Sequence, residues 1–258
     1  MSLNFASKFS IAAILFSLIF VSLNINVSAE STPVPEESSS PEAYSKYLES
    51  KTKEFGLASS ASDNEAKEAL DAFNSLNRDE QERYLSTIND PEILKDIYQT
   101  IGNIKLDEDQ DAVTEELYGG YVKVTMEIND DKGFSVQDTF EETADVNTTV
   151  EIAAVNVVQL NIYMQYTTEN DPGQSCCTVS SVNSTSHAVV QNYIPIQTLN
   201  ATPREPYISG DTSAIFSVLY TLSLSYNDIS VTDGSFVHQL TGTGAGSSFA
   251  EITNRNLD

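Results

Sequence analysis

The sequence contains no tryptophan, and it has only two histidines and two cysteines among its 258 residues. A hydrolytic triad could take its base only from His187 or His238, and neither lies in a recognisable nucleophile motif. Tetrahedral zinc needs three or four Cys or His ligands at characteristic spacing, which this chain does not supply. The usual indole platform for stacking on sugar rings is missing too, although twelve tyrosines could replace it. We therefore expect no cofactor and no enzymatic activity.

Basic residues are scarce as well, with 13 Lys and Arg against 38 Asp and Glu and a formal net charge of −25. No basic cluster exists to release counterions, which argues against binding to nucleic acid or to anionic lipid. An acidic surface favours solubility, and it also suits cations or basic partners. Hydrophobic residues make up 40% of the chain, which is enough for a real core.

A long apolar run occurs only near the N-terminus. It extends over residues 11–21, follows Lys8, and is succeeded by the small residues Val27, Ser28 and Ala29. This layout predicts that residues 1–29 are a signal peptide cleaved after Ala29. Later segments do not reach the roughly 20 consecutive apolar residues of a spanning helix. We expect a mature chain without a stable membrane span, secreted into the extracellular space or loosely associated with a cell surface.

The first part of the mature chain predicts a flexible leader and then short helices. Residues 30–40 are rich in Ser, Pro and Glu and contain few apolar residues, so burial cannot offset the conformational entropy that would be lost on ordering. Residues 41–118 carry helix-start signals at Ser40-Pro41, at Ser62 with Glu65, at Asn77 with Glu80, and at Asp90-Pro91. Apolar residues follow each signal at helical spacing. A weaker fifth helix is expected over residues 109–117, so this segment predicts a small α-helical domain.

Residues 119–258 have the composition of a β-domain, because Val, Thr, Ser, Tyr and Asn dominate after Gly119-Gly120. Val122, Val124 and Met126 alternate with polar residues, and the turn-forming run NDDKG follows, which predicts a hairpin. Further strands are expected over residues 148–167, 178–184, 188–196, 214–226 and 235–240. The predicted fold class is α+β, with the helical domain preceding an antiparallel β-sandwich or barrel-like domain. Limited proteolysis should then leave a fragment beginning near Gly119.

Acidic runs raise the question of metal binding. Asp107, Asp109 and Asp111 alternate as at the opening of an EF-hand loop, but Ala112 and Tyr118 stand where its glycine and bidentate acid belong. A solvated helix start explains these acids better. The NDDKG run with Glu127 could hold calcium weakly, although a plain turn is the preferred interpretation. The metal ligands, if any, stay unknown.

Three sequons could carry glycans if the source is eukaryotic. They begin at Asn147, Asn183 and Asn200.

The two cysteines, Cys176 and Cys177, are adjacent. A disulfide between them is our first hypothesis for an oxidising compartment, although neighbouring Cα atoms at about 3.8 Å strain such a bond. Cross-linking of two chains is second, and a reactive dithiol is third. A Cys177–His187 catalytic pair across a hairpin is also conceivable. However, the extracellular environment is oxidising, and an adjacent pair of cysteines there does not readily stay as a reduced thiolate.

Three functions are compatible with these patterns. The first is a secreted, acidic, non-enzymatic binding or structural module, acting on an extracellular protein or cell-envelope partner or by self-association. The second is a β-rich pore-forming or membrane-active protein, because residues 214–226 alternate apolar and hydroxyl side chains. The third is an extracellular hydrolase whose acidic residues the sequence does not identify.

Overall fold

The structure is a computed structural model that describes residues 34–55, 62–131, 139–169, 177–226 and 229–254. The chain from Pro33 to Asp258 forms one compact unit. Its described residues form four α-helices, eleven strands and two short 3₁₀ turns. The 3₁₀ turns are Glu36–Ser38 and Tyr118–Gly120.

The helices occupy the N-terminal part of the compact unit. They are α1 (Pro41–Phe55), α2 (Ser62–Ser75), α3 (Arg78–Ile88) and α4 (Pro91–Ile101). Each begins where the sequence predicts a start. Ser40 Oγ accepts a hydrogen bond from the Ala43 N–H at 3.1 Å, and Asp90 Oδ1 accepts one from the Glu92 N–H at 2.9 Å. Both contacts satisfy N–H groups that have no partner within the helix.

Helix α3 carries the predicted capping box. The Asn77 side chain accepts from the Glu80 N–H at 3.1 Å, and the Glu80 carboxylate accepts from the Asn77 N–H at 2.9 Å. The expected inward residues Tyr84, Leu85 and Ile88 are buried.

The strands form two antiparallel sheets. They are β1 (Lys105–Leu106), β2 (Ala112–Leu117), β3 (Val122–Asp131), β4 (Thr139–Ile152), β5 (Val155–Glu169), β6 (Thr178–Asn192), β7 (Gln197–Pro203), β8 (Tyr207–Ser209), β9 (Ser213–Tyr226), β10 (Ile229–Thr243) and β11 (Ser248–Asn254). One sheet has the order β1-β11-β10-β9-β7, with β8 also pairing with β9, and the other has the order β2-β3-β4-β5-β6. Both sheets are open in the described part of the chain.

The prediction of a fifth helix over residues 109–117 is wrong, because Ala112–Leu117 is strand β2. It pairs with β3 in a register that runs from Ala112 opposite Glu127 to Leu117 opposite Val122. Helix propensity is a weak preference, and pairing with a neighbouring strand overrides it here. The acidic residues of this segment therefore lie on an edge strand and in the turn before it.

Two strand predictions also need correction. Residues 148–167 do not form one strand, because a two-residue turn at Ala153 and Ala154 separates β4 from β5. Residues 178–184 and 188–196 belong mainly to a single strand, β6, which ends at Asn192. The strands β1, β7, β8 and β11 carry no signal that the sequence analysis identified.

The helices and the sheets share one buried hydrophobic cluster. The Tyr44 hydroxyl on α1 lies 2.7 Å from the Tyr84 hydroxyl on α3, and it donates to the Tyr193 carbonyl at 2.9 Å. The rings of Tyr98 on α4 and Phe236 on β10 stack at 6.1 Å between centroids. Contacts therefore join residues on the two sides of the expected boundary at 118/119.

Candidate functional site

The five-stranded sheet presents a polar face that is rich in amide side chains. Successive residues of a strand point to opposite faces, and in β4 and β5 the buried and half-exposed positions alternate. The half-exposed residues are Thr143, Asp145, Asn147, Thr149, Gln159, Asn161, Tyr163 and Gln165. Asp145 lies opposite Tyr163, and Asn147 lies opposite Asn161.

Hydrogen bonds connect these amides into a ladder across β4 and β5. Asn147 Oδ1 accepts from Asn161 Nδ2 at 3.2 Å and from Gln159 Nε2 at 3.4 Å. Asn161 Nδ2 also donates to the Asp145 carboxylate. Partial burial raises the pKa of Asp145, and the hydrogen bond from Asn161 opposes that shift. The ladder therefore holds one carboxylate among neutral amides.

Helix α2 lies over one end of this face and leaves a cleft of about 330 Å³. We call it the amide cleft. Its lining residues are Glu65, Glu68, Ala69 and Ala72 from α2, Ala154 from the β4–β5 turn, Asn156 and Gln159 from β5, and Gln191 from β6. The volume is at the small end of the range of about 300–1,000 Å³ that is typical of ligand pockets. Gln159 belongs to both the cleft and the ladder, so the two are continuous.

The β4–β5 turn at the edge of the cleft is strained. Ala153 and Ala154 have φ angles of 51° and 63°, in the left-handed region where a side chain with Cβ costs about 1–2 kcal/mol per residue. Such two-residue hairpin turns usually contain Asn and Gly. The strain persists because the long antiparallel pairing of β4 with β5 fixes the turn. The methyl side chain of Ala154 leaves space at the edge of the cleft.

Gln191 supplies a buried donor to the cleft. Its side chain is only 4% exposed, and its Nε2 has no hydrogen-bond partner among the described residues. Gln191 pairs directly with Gln159, whereas Val189 pairs with Leu160, so Val190 is the extra residue of a β-bulge. A bulge redirects the side chains that follow it. This bulge places the two glutamines together.

Glu65 supplies a buried acceptor to the same cleft. Its Oε2 atom is inaccessible and has no partner within the described ranges. Burial raises the pKa of Glu65, and the charge of Glu68 adds to the shift. Glu68 in turn accepts a hydrogen bond from Asn64 Nδ2 at 2.8 Å. Burial also raises the pKa of Tyr193, and the Glu65 charge contributes, so this phenol belongs to the same electrostatic environment.

The cleft thus contains an amide donor and a carboxylate acceptor that lack partners in the described structure. A buried polar group without a partner costs about 1–3 kcal/mol. A ligand group that accepts from Gln191 and donates to Glu65 would remove both costs. None of the described residues that line the cleft is Lys or Arg, so the electrostatics of this lining disfavour an anion.

Neither histidine is among the residues that line this cleft. His187 is half-buried on β6, and His238 is fully buried on β10. The conceivable Cys177–His187 pair is wrong, because Cys177 directly precedes β6 and His187 follows ten positions later on the same strand. At about 3.3 Å per residue, roughly 30 Å separates them.

The cysteine hypotheses remain open. Cys177 is half-buried. Cys176 lies outside the described residues, and so does the expected turn at residues 171–174.

The acidic runs do not assemble into a metal centre in the described ranges, where no group of three or more His, Cys, Asp or Glu side chains has suitable geometry. Asp107, Asp109 and Asp111 belong to a turn and its exit into β2, and the Gln110 N–H donates to the Asp107 carbonyl at 3.0 Å. Asn129, Asp130 and Asp131 of the expected NDDKG turn belong to strand β3, and Lys132 and Gly133 lie outside the described residues.

The three sequons fall on strands. Asn183 and Asn200 are exposed, whereas Asn147 is half-buried in the ladder.

Sequence reasoning missed the residues of the amide cleft. Glu65 was identified only as part of a helix start, and Gln191 only as part of a strand. The signal that was present is the run of polar residues at alternate positions of β5, where Gln159, Asn161 and Gln165 share this face with Tyr163. That pattern marks a polar sheet face, but it does not reveal that α2 covers one end of it.

No protein-family model, curated protein or solved structure matches the chain. Among the described residues, no helix has the length and apolar character needed to cross a membrane.

Proposed function

We propose that the chain is a secreted, acidic, non-enzymatic binding module whose two sheets form a sandwich next to the helical segment, and that it binds a neutral, hydroxyl-rich ligand in the amide cleft. One observation carries this proposal: Gln191 Nε2 and Glu65 Oε2 are buried in one cleft without partners among the described residues. A sugar is the natural ligand class for this pair of groups.

Hydroxyl groups match this cleft because each can donate and accept a hydrogen bond. One hydroxyl can accept from the Gln191 amide, and a neighbouring hydroxyl can donate to the Glu65 carboxylate. The ladder beside the cleft, through Gln159 and Asn147, offers further amides to a longer chain of sugars. The half-exposed ring of Tyr163 lies on the same face and can pack against a sugar ring.

The charge distribution restricts the sugar. Glu65 and Glu68 lie in the cleft, and the whole chain has a formal net charge of −25. Desolvating an anionic sugar next to these carboxylates would be unfavourable. We expect neutral sugars to bind, and sulfated or carboxylated sugars to bind more weakly.

The experiment screens the mature protein on an array of neutral and anionic oligosaccharides and then measures the best neutral ligand by calorimetry. Gln191→Leu removes the donor, and Glu65→Gln removes the negative charge with little change of shape. We expect each variant to lose about tenfold in affinity, since a buried group that is left without its hydrogen-bond partner costs about 1–3 kcal/mol.

Glu115→Gln is the matched control, because Glu115 is an exposed carboxylate on β2 and does not line the cleft. It should bind as the unmodified protein does. Absence of binding to every neutral sugar, or full affinity in both cleft variants, would contradict the proposal.

A second candidate is hydrolysis of the bound sugar. It is favoured by the raised pKa of Glu65 beside Glu68, since two carboxylates in different environments can act as acid and base. In that case the protein would release new reducing ends, and Glu65→Gln or Glu68→Gln would abolish the release while retaining the fold. Binding without release supports the non-enzymatic module.

Membrane insertion has less support. The apolar residues Phe216, Val218 and Tyr220 of β9 are already buried in the common core, so insertion would require the sheets to come apart. Dye release from liposomes by the folded protein would favour the pore-forming alternative instead.

A further inference from the structure

Strand β6 is an edge strand without any charged residue. Its sequence, TVSSVNSTSHAVVQN, extends over 15 residues, and in the described structure it pairs only with β5. Charged residues make up 20% of the whole chain. A long edge free of charge is therefore an exception in this protein.

The other edges of the two sheets are protected in the ways that natural proteins use. Strand β2 carries Glu115 and Glu116. Strand β1 has two residues and includes Lys105, β7 ends at Pro203, and β8 has three residues. Short length, charge and proline all prevent an edge from pairing with another chain. Strand β6 has none of these features.

The middle of β6 is open to pairing. Near its N-terminal end, the Val179 N–H donates to the Asp211 carbonyl at 2.8 Å, which closes that part of the edge. From residue 180 to residue 192, the described structure contains no backbone hydrogen bond other than those to β5. Ser184, Ser186 and Ala188 are exposed.

Bulges interrupt β6 at three points, but they leave a regular central segment. The register shifts occur next to Leu160, Tyr166 and Thr168 of β5. Between them, residues 184–189 pair with residues 160–165 without interruption. Bulges twist the ends of an edge away from partners, so only this central segment is suited to a new strand.

We propose that residues 184–188 of β6 pair antiparallel with the same residues of a second copy of this chain, around a two-fold axis that passes between the two Ser186 residues. Two copies each with a formal charge of −25 repel each other, and a charge-free strand is where they can approach most closely. A two-fold axis makes one segment its own partner. The two five-stranded sheets then join into one continuous sheet.

The charge argument predicts the salt dependence of the dimer. Screening by salt weakens the repulsion between the two acidic copies but leaves backbone hydrogen bonds in place. We expect the dimer to become more stable as ionic strength rises. A dimer held by ion pairs would show the opposite trend.

Sedimentation of the mature protein over a concentration series tests the inference, with a reductant present so that Cys176 and Cys177 cannot link two chains. We expect a monomer–dimer equilibrium that shifts toward the dimer when salt is added. Ala188→Glu places two like charges near the axis and should weaken association at least about tenfold. Thr114→Glu is the control, because it adds the same charge to the exposed edge strand β2 at the opposite side of the sheet.

Circular dichroism and thermal unfolding verify that both variants are folded. A protein that stays monomeric at every concentration and salt level would overturn the inference. A dimer that Ala188→Glu and Thr114→Glu weaken equally, or not at all, would do so as well. Sugar binding by the monomer would leave the proposed function intact, because Gln191 is the residue of β6 that lines the cleft and residues 184–189 do not line it.

Discussion

His238 is the buried residue with the most unusual environment. Its side chain is fully inaccessible, and neither ring nitrogen has a hydrogen-bond partner among the described residues. Tyr220 lies beside it at 6.5 Å between ring centroids. Burial lowers the pKa of His238 to about 3. The folded protein therefore holds this imidazole neutral, as an ordinary core residue.

This burial makes the stability of the protein dependent on pH. Above pH 6.5 the imidazole is neutral in both the folded and the unfolded chain, so it adds no pH dependence. Between pH 6.5 and about 3 the unfolded chain binds a proton that the folded chain does not, so the free energy of unfolding falls as pH is lowered. The expected slope approaches about 1.4 kcal/mol per pH unit.

The variant His238→Phe should lack this contribution. The difference between the two proteins in free energy of unfolding should change by about 2.3 kcal/mol from pH 6.5 to pH 4.5, in the direction that favours the variant at acid pH. Urea denaturation at several pH values measures it, and carboxylates common to both proteins cancel. His187→Phe is the control, since His187 is only half-buried. Parallel pH profiles for His238→Phe and the unmodified protein would contradict the prediction.

At the scale of single elements, the β4–β5 turn offers a direct test of backbone strain. Asn at position 153 and Gly at position 154 suit left-handed φ angles better than alanine does. We expect the double variant Ala153→Asn/Ala154→Gly to raise the free energy of unfolding by about 1–3 kcal/mol. Chemical denaturation measures this change.

The control for this turn variant is Ala112→Gly, because Ala112 is exposed on β2 and does not have a positive φ angle. It should destabilise the protein slightly, because glycine loses more conformational freedom on folding. If both variants destabilise the protein, the turn does not store the strain that its φ angles indicate.

Local signals decided which elements the sequence could predict. The starts of α3 and α4 were predictable because Asn77 and Asp90 cap their own helices with side-chain hydrogen bonds. The inward residues of β3 were predictable because its buried and polar positions alternate. The β4–β5 turn was not, since Ala153 and Ala154 are not turn residues and only the flanking strands force their conformation.

Long-range packing explains the remaining differences. Strand β2 has a sequence that also suits a helix, and its pairing with β3 decides its structure. The amide cleft depends on the placement of α2 over β5 and β6, which no local pattern of Glu65 or Gln191 encodes. The polar sheet face was visible in the sequence as alternation, but the cleft in that face was not.

At the scale of the whole molecule, the question is whether residues 41–118 and 119–258 behave as separate domains. Their side chains contribute to one buried cluster, and Lys105 of β1 pairs with Glu251 of β11 near the end of the chain. Short helices are marginal on their own and are stabilised by packing. These contacts lead us to expect that helices and sheets unfold together.

Tyr44 provides the test of this coupling, because its hydroxyl donates to the Tyr193 carbonyl, which follows β6. The Tyr84 hydroxyl shares that buried position at 2.7 Å from Tyr44. Tyr44→Phe leaves the Tyr193 carbonyl and the Tyr84 hydroxyl without the Tyr44 hydroxyl as a partner. This loss should lower the free energy of unfolding by about 1–3 kcal/mol. Hydrogen exchange measured by mass spectrometry should show the same loss of protection in peptides from α3 and from β9. The control is Tyr207→Phe, which changes an exposed tyrosine and should leave the protection of both peptides unchanged. Loss of protection confined to the helices, together with a protease-resistant fragment beginning near Gly119, would instead support two domains that unfold separately.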